Sequence, residues 1–261
     1  MLDGFGDILN WLAAGLVFPL MLLPLAALAG GGRLSSAIWF AIVAGVAAAG
    51  VLFAWLAPVL AVRPAPMPIG VFLAALLVLT IIVAVAGGAR NAVDHLAGPL
   101  ERIVRRSGRA VMWLLFAMAF VQFAVVVLRY VFGINYIFMQ ESITYMHGAV
   151  FLIAAGYALT TDDHVRVDIF YREAPARRKA LIDFLGTYLF LFPICVVLLW
   201  TASPYVASSW AVREGSAETS GIQGVFLLKS LIPAFAVLLA MAGFNIAAKA
   251  GTVLKDGDGS S

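Results

Sequence analysis

"AVMWLLFAMAFVQFAVVVL", residues 110–128, runs for 19 positions without Asp, Glu, Lys or Arg and is bracketed by Arg109 and Arg129. About 20 residues of helix cross the hydrocarbon core of a bilayer. No solvent there can bond the backbone, so a spanning segment closes its own N–H and C=O groups as a helix or joins a closed barrel. The apolar/polar alternation of a barrel strand is absent. The stretch reads as a transmembrane helix, and it sets the fold class: an all-α, polytopic integral membrane protein.

Six further stretches qualify: 11–29, interrupted by Pro19 and Pro24, then 37–62, 67–87, 142–161, 184–205 and 230–248. The composition agrees, with 63% hydrophobic and 12% charged residues and a mean hydropathy of +1.01, far above the half-apolar content of soluble domains. The first thirty residues lack the basic region of a signal peptide, since Asp3 and Asp7 are the only charges before Arg33, so this segment is expected to stay. The single cysteine, Cys195, supplies neither a disulfide nor a thiolate metal cluster within the chain.

Orientation follows from Lys and Arg, which cytoplasmic loops retain. With seven spans, 13 basic residues fall on one side (Arg33, five in 88–109, five in 166–179, Lys249 and Lys255). Three fall on the other: Arg63, Arg213 and Lys229. That places the N-terminus outside and the C-terminus in the cytoplasm. The chain also divides lengthwise into a three-span N-terminal extension over 1–88, a basic cytoplasmic linker over 89–109, a four-span module over 110–250 and a disordered tail over 251–261.

Polar residues concentrate in the four-span module. Arg129 is either an interfacial anchor beside Tyr130 and Tyr136, its head snorkelling outward, or the partner of Glu141 across a short hairpin. Gln140, Thr144 and His147 lie at i, i+4 and i+7 and share one helix face. A polar stripe in lipid is costly, so this face should meet protein. His147 then serves as a neutral imidazole bonded to a neighbouring helix, or as a proton relay or ligand. Gly148, Ala154, Ala155 and Gly156 permit close helix approach. The outer loop with Glu214, Glu218, Thr219 and Ser220 is a solvated loop or a docking surface, and Lys229 reads as a snorkelling anchor. No phosphate loop, catalytic triad order or metal-ligand spacing is present. Neither catalysis nor a cofactor is expected, and neither is a nucleic-acid partner.

Five stretches, in order, carry a resemblance: Arg129-Tyr130-Val131-Phe132-Gly133; Gln140-Glu141; Gly156 followed by "TTDDHVRVDIFY" (160–171); Glu218-Thr219-Ser220; and "LLKSLIP" (227–233). Over about residues 108–250 the chain resembles the small membrane subunit, DctQ, of tripartite ATP-independent periplasmic (TRAP) transporters. Its strongest element is His164-Val165-Arg166-Val167-Asp168. It departs from that pattern in having one carboxylate before the fifth span and three additional front spans. The resemblance implies a multi-pass protein of the bacterial inner membrane. Its partners would be a large membrane subunit carrying the substrate and ion sites, and a periplasmic protein that captures an organic acid or related solute. It further implies that Asp162, Asp163, His164 and Asp168, beside Arg166, form a cytoplasmic turn joining spans five and six, the other reading being a solvated loop that only signals topology, while the alternation of Val165, Val167 and Ile169 favours a short extended segment. Two other readings stand beside it: a haem-binding electron-transfer subunit using His147 with a partner's histidine, and a self-sufficient channel or carrier.

Overall fold

A computed structural model of the chain describes residues 4–29, 88–161 and 171–256. The spans expected at 37–62 and 67–87, the turn holding Asp163, His164, Arg166 and Asp168, and the extended segment expected around Val165, Val167 and Ile169 lie outside the described residues. Among the described residues the regular structure is all helical, without strands, and five helical stretches are long and apolar enough to cross a membrane.

Helix α1 covers Phe5–Ala29. Helix α2, Ala89–Val131, has 43 residues, about 65 Å at 1.5 Å per residue and twice what the roughly 30 Å hydrocarbon core needs. The basic linker expected over 89–109 is thus the first half of the same helix that crosses at 110–128. An ion pair one turn apart, Arg105 to Glu101 at 2.8 Å, ties this half together. The helix stops at Gly133, whose φ of 67° belongs to the left-handed region that favours glycine. The N–H groups of Phe132 and Ile134 then both donate to Leu128 O, at 3.2 and 3.0 Å, a glycine-dependent closure of the last carbonyls.

Helix α3 covers Ile137–Thr161. Helix α4, Ala176–Gly186, runs through one wide turn, Thr187–Leu191, into α5, Phe192–Ala211. Such wide turns occur as single-turn bulges within α-helices. Here the Tyr188 hydroxyl donates to Met21 O on α1 at 2.7 Å. The short α6, Val225–Lys229, leads into α7, Leu231–Asp256. The last helix therefore occupies 251–256, where an irregular tail was expected. Lys255 Nζ holds it by donating to Ala27 O at 2.6 Å.

One core joins Ala14, Val17, Leu23 and Ala26 of α1 to Phe192, Cys195 and Leu199 of α5 and to Ala236, Ala240 and Phe244 of α7. The small residues let backbones approach, which matters because lipid supplies no hydrophobic drive between helices. Asn10, buried on α1, donates its amide to Ser203 O at 2.9 Å. As a packing unit, α1 goes with the rear helices, across the boundary expected at residue 88. Hydropathy gave no sign of this, since a lipid-facing side and a core-facing side are equally apolar.

Candidate functional site

The loop from α5 to α6, "VREGSAETSGIQG" (212–224), begins at a strained point. Arg213, a non-glycine residue, has a φ of 47°, a conformation costing roughly 1–2 kcal/mol for an L residue. The turn is bought by contacts on both sides of it: Glu214 N–H donates to Ser209 O at 2.9 Å, and Phe226 N–H to Glu214 O at 3.3 Å. The Glu214 carboxylate forms an ion pair with Lys229 Nζ. The Lys229 hydrogen bond holds the Glu214 carboxyl below its ordinary range. The ammonium also lies over the Tyr205 ring, 3.7 Å from its centroid, an attractive placement for a cation. Lys229 is therefore turned inward, its side chain only 11% exposed, where a snorkelling anchor was expected; a carboxylate and an aromatic face replace the headgroup water. Beside it, Trp210 Nε1 donates to Ser230 Oγ at 2.8 Å. The indole packs between Phe5 and Phe226, with centroids 4.5 and 4.6 Å away.

Glu141, in the second turn of α3, supplies the other half of the junction. One carboxylate oxygen accepts from Ser216 Oγ, and the other accepts from Ile222 N–H at 2.6 Å. Ser216 Oγ in turn accepts from Glu218 N–H at 3.0 Å, and Ser216 N–H donates to Ile222 O at 3.2 Å. A Cβ at Gly221 would collide with Ser216 and with Glu141 Oε1. Only glycine lets the loop close on the carboxylate. The hairpin pair expected between Arg129 and Glu141 does not form: both Glu141 oxygens are engaged by the loop. Arg129 is exposed in the last turn of α2, 6.0 Å from the Tyr130 ring centroid. There its charge complements the negative end of the helix dipole.

Three of the sequence motifs thus converge on the loop-facing end of the helices. Glu141 meets a loop 75 to 81 residues away, and Lys229 of the "LLKSLIP" stretch braces that loop. Glu218, Thr219 and Ser220 form its exposed tip. Gln140 stays at the surface, donating to Asn135 Oδ1 at 2.8 Å. Ser216, Glu214, Tyr205 and Trp210 were not singled out from the sequence as one site. The signal available was the glycine spacing of the loop, which marks tight turns.

Further along α3, Gly156 is buried against α7, where a Cβ would sit 3.1 Å from Leu238 O. Thr144 and His147 are exposed, and neither makes a hydrogen bond with a described residue. His147 stacks on Phe151 at 6.4 Å, and Phe151 is 72% exposed. Among the described residues no neighbouring helix covers this face, contrary to a bond from His147 to an adjacent helix of the chain. A groove of about 770 Å³ lies between α3, α4, the wide turn, α5 and α7, lined by side chains such as Leu159, Phe190, Leu239 and Ile246. Its carboxylate, Asp183, already accepts from Tyr171 OH at 2.8 Å. Its lining suits an acyl chain or an apolar helix better than a hydrophilic solute. Among the described residues no three His, Cys, Asp or Glu side chains gather as for a metal.

Residues 118–250 match the model described as tripartite ATP-independent periplasmic transporters, DctQ component. No curated protein and no solved structure matches the chain.

Proposed function

The chain belongs to the family of DctQ components of tripartite ATP-independent periplasmic transporters, and from that premise we propose that it is the non-catalytic scaffold of such a transporter. Family members are membrane components that work with a large membrane subunit and a substrate-binding protein. The chain sits in the bacterial inner membrane with its N-terminus outside. The exposed face of α3 holds the large subunit, and the braced loop with Glu218 and Ser220 at its tip receives the periplasmic binding protein. The transported solute is an organic acid or a related compound, and the large subunit moves it. On the cytoplasmic side, Asp163, His164, Arg166 and Asp168 link the exit of α3 to the entry of α4.

The observation that carries this reading is the exposure of Thr144 and His147 within a membrane span. A hydrogen-bonding side chain at that depth is expensive in lipid, and such residues almost always face protein. The test is gentle extraction of the tagged full chain, with stoichiometric partners identified by mass spectrometry. A large multi-span protein should accompany the wild type, and His147→Leu should reduce its yield several-fold without lowering the yield of the chain itself. Undiminished partner yield with His147→Leu would remove α3 as the docking face. Uptake by the chain alone would overturn the scaffold reading.

A further inference from the structure

The exposed side of α2 carries one uninterrupted stripe. Arg102, Arg106, Arg109 and Trp113 follow at i, i+4, i+7 and i+11, and the same spacing continues through Phe116, Phe120 and Phe123. These positions share a single face of a 3.6-residue helix. All are exposed: Trp113 by 74%, Phe116 by 71% and Phe120 by 72%. The three guanidinium groups have no carboxylate partner among the described residues. The nearby Glu101 is taken by Arg105 at 2.8 Å and Lys249 at 3.4 Å. Among the described residues Arg102 and Arg109 bond only carbonyls of their own helix, Gly98 O at 3.4 Å and Arg105 O at 3.3 Å, so each keeps donors to spare.

We propose that this stripe is a binding site for anionic phospholipid in the leaflet at the N-terminal end of the span. Along the helix the chemistry changes in the order a lipid changes. Three fork-shaped cations that match phosphate geometry come first. An indole of the kind that settles at the interface follows about 6 Å further on. Aromatic rings at acyl-chain depth complete it. Arg102 and Arg109 are about 10 Å apart along the axis, so all three charges fall within about one Debye length of the same surface. Zwitterionic lipid offers the phosphate together with a compensating ammonium. A net negative headgroup is therefore preferred, by about fivefold per arginine near the surface. A partner subunit seated on the stripe would instead exclude lipid of either kind.

The test uses the full chain, with any partner that extracts with it, reconstituted in vesicles containing acyl-brominated phosphatidylglycerol or acyl-brominated phosphatidylcholine at equal fractions. Fluorescence due to Trp113 is the difference between wild type and Trp113→Phe. Stronger quenching by the brominated phosphatidylglycerol is expected. It should weaken with added salt and disappear in Arg102→Gln/Arg106→Gln/Arg109→Gln, a loss of preference on the order of a hundredfold. Equal quenching by the two lipids overturns the proposal, and so does an excess that survives the triple substitution. Absence of quenching by either lipid overturns it in favour of a protein-covered stripe. The wild-type comparison is decisive even if the triple variant fails to insert.

Discussion

Gly156 offers a quantitative test of how α3 is held. An added Cβ would lie 3.1 Å from Leu238 O, 3.2 Å from Leu238 C and 3.4 Å from Leu238 Cβ. The obstacle is mainly backbone of α7, which cannot swing aside as a side-chain tip can. In water a helical Gly→Ala change gains about 0.5–1 kcal/mol from chain entropy. A membrane span is helical whether or not it is packed, so that gain largely cancels here. What remains is overlap. Gly156→Ala asks for a shift of a few tenths of an ångström and should cost less than about 1 kcal/mol. Gly156→Leu overpacks the contact and should cost about 1–3 kcal/mol, a factor of roughly 5 to 150 in the equilibrium between packed and separated helices. Gly148 is the control: among the described residues its Cβ would meet only Leu228 Cδ1, at 3.2 Å, and that mobile tip can move, so Gly148→Ala should be neutral. The assay is tryptophan fluorescence against SDS mole fraction in mixed micelles. An unshifted midpoint for Gly156→Leu, or an equal shift for Gly148→Ala, would refute the idea that backbone contact at Gly156 holds α3 on α7.

Three other outcomes follow from the helix-end junction. Glu141→Gln keeps the shape but replaces one accepting oxygen with an NH₂ that cannot take the bonds from both Ser216 and Ile222, so limited proteolysis should cut within 212–224 faster; an unchanged rate would mean the carboxylate does not hold the loop. Gly133→Ala forces a side chain into a φ of 67° and should lower stability by about 1–2 kcal/mol, read as a lower SDS midpoint. For pH, the Glu214 carboxyl is held below its ordinary value of 4.5 chiefly by the hydrogen bond from Lys229. A depressed folded value means the stabilisation is fully present above 4.5 and disappears as pH falls through the folded value. Loop cleavage by an acid-active protease should therefore rise only in that acidic range, and Lys229→Met should bring the rise to higher pH; a wild-type profile in that variant would show that the pair does not brace the loop.

The sequence by itself determined that the described spans are helices, because long charge-free runs have no other economical backbone in hydrocarbon. It placed a span at 110–128, which lies inside α2, but the stop at Gly133 is seen only in the fold, where its φ of 67° closes the last carbonyls. Tertiary structure alone decided which groups meet. Arg129 and Glu141 are near in sequence and pair with nothing in common, while Glu141 binds Ser216 and Ile222, 75 and 81 residues on. Loop closure over such distances leaves no local periodicity to read. The same holds for α1: its apolar residues suit lipid as well as protein, and only the assembled core shows that Ala14, Val17 and Leu23 lie against α5 and α7. Polar pattern placed Thr144 and His147 on one face of α3, and the packed chain left that face uncovered among the described residues. In a membrane protein hydropathy says that a segment is inside the bilayer, but it is the direction of each side chain in the folded chain that separates neighbour, lipid and partner.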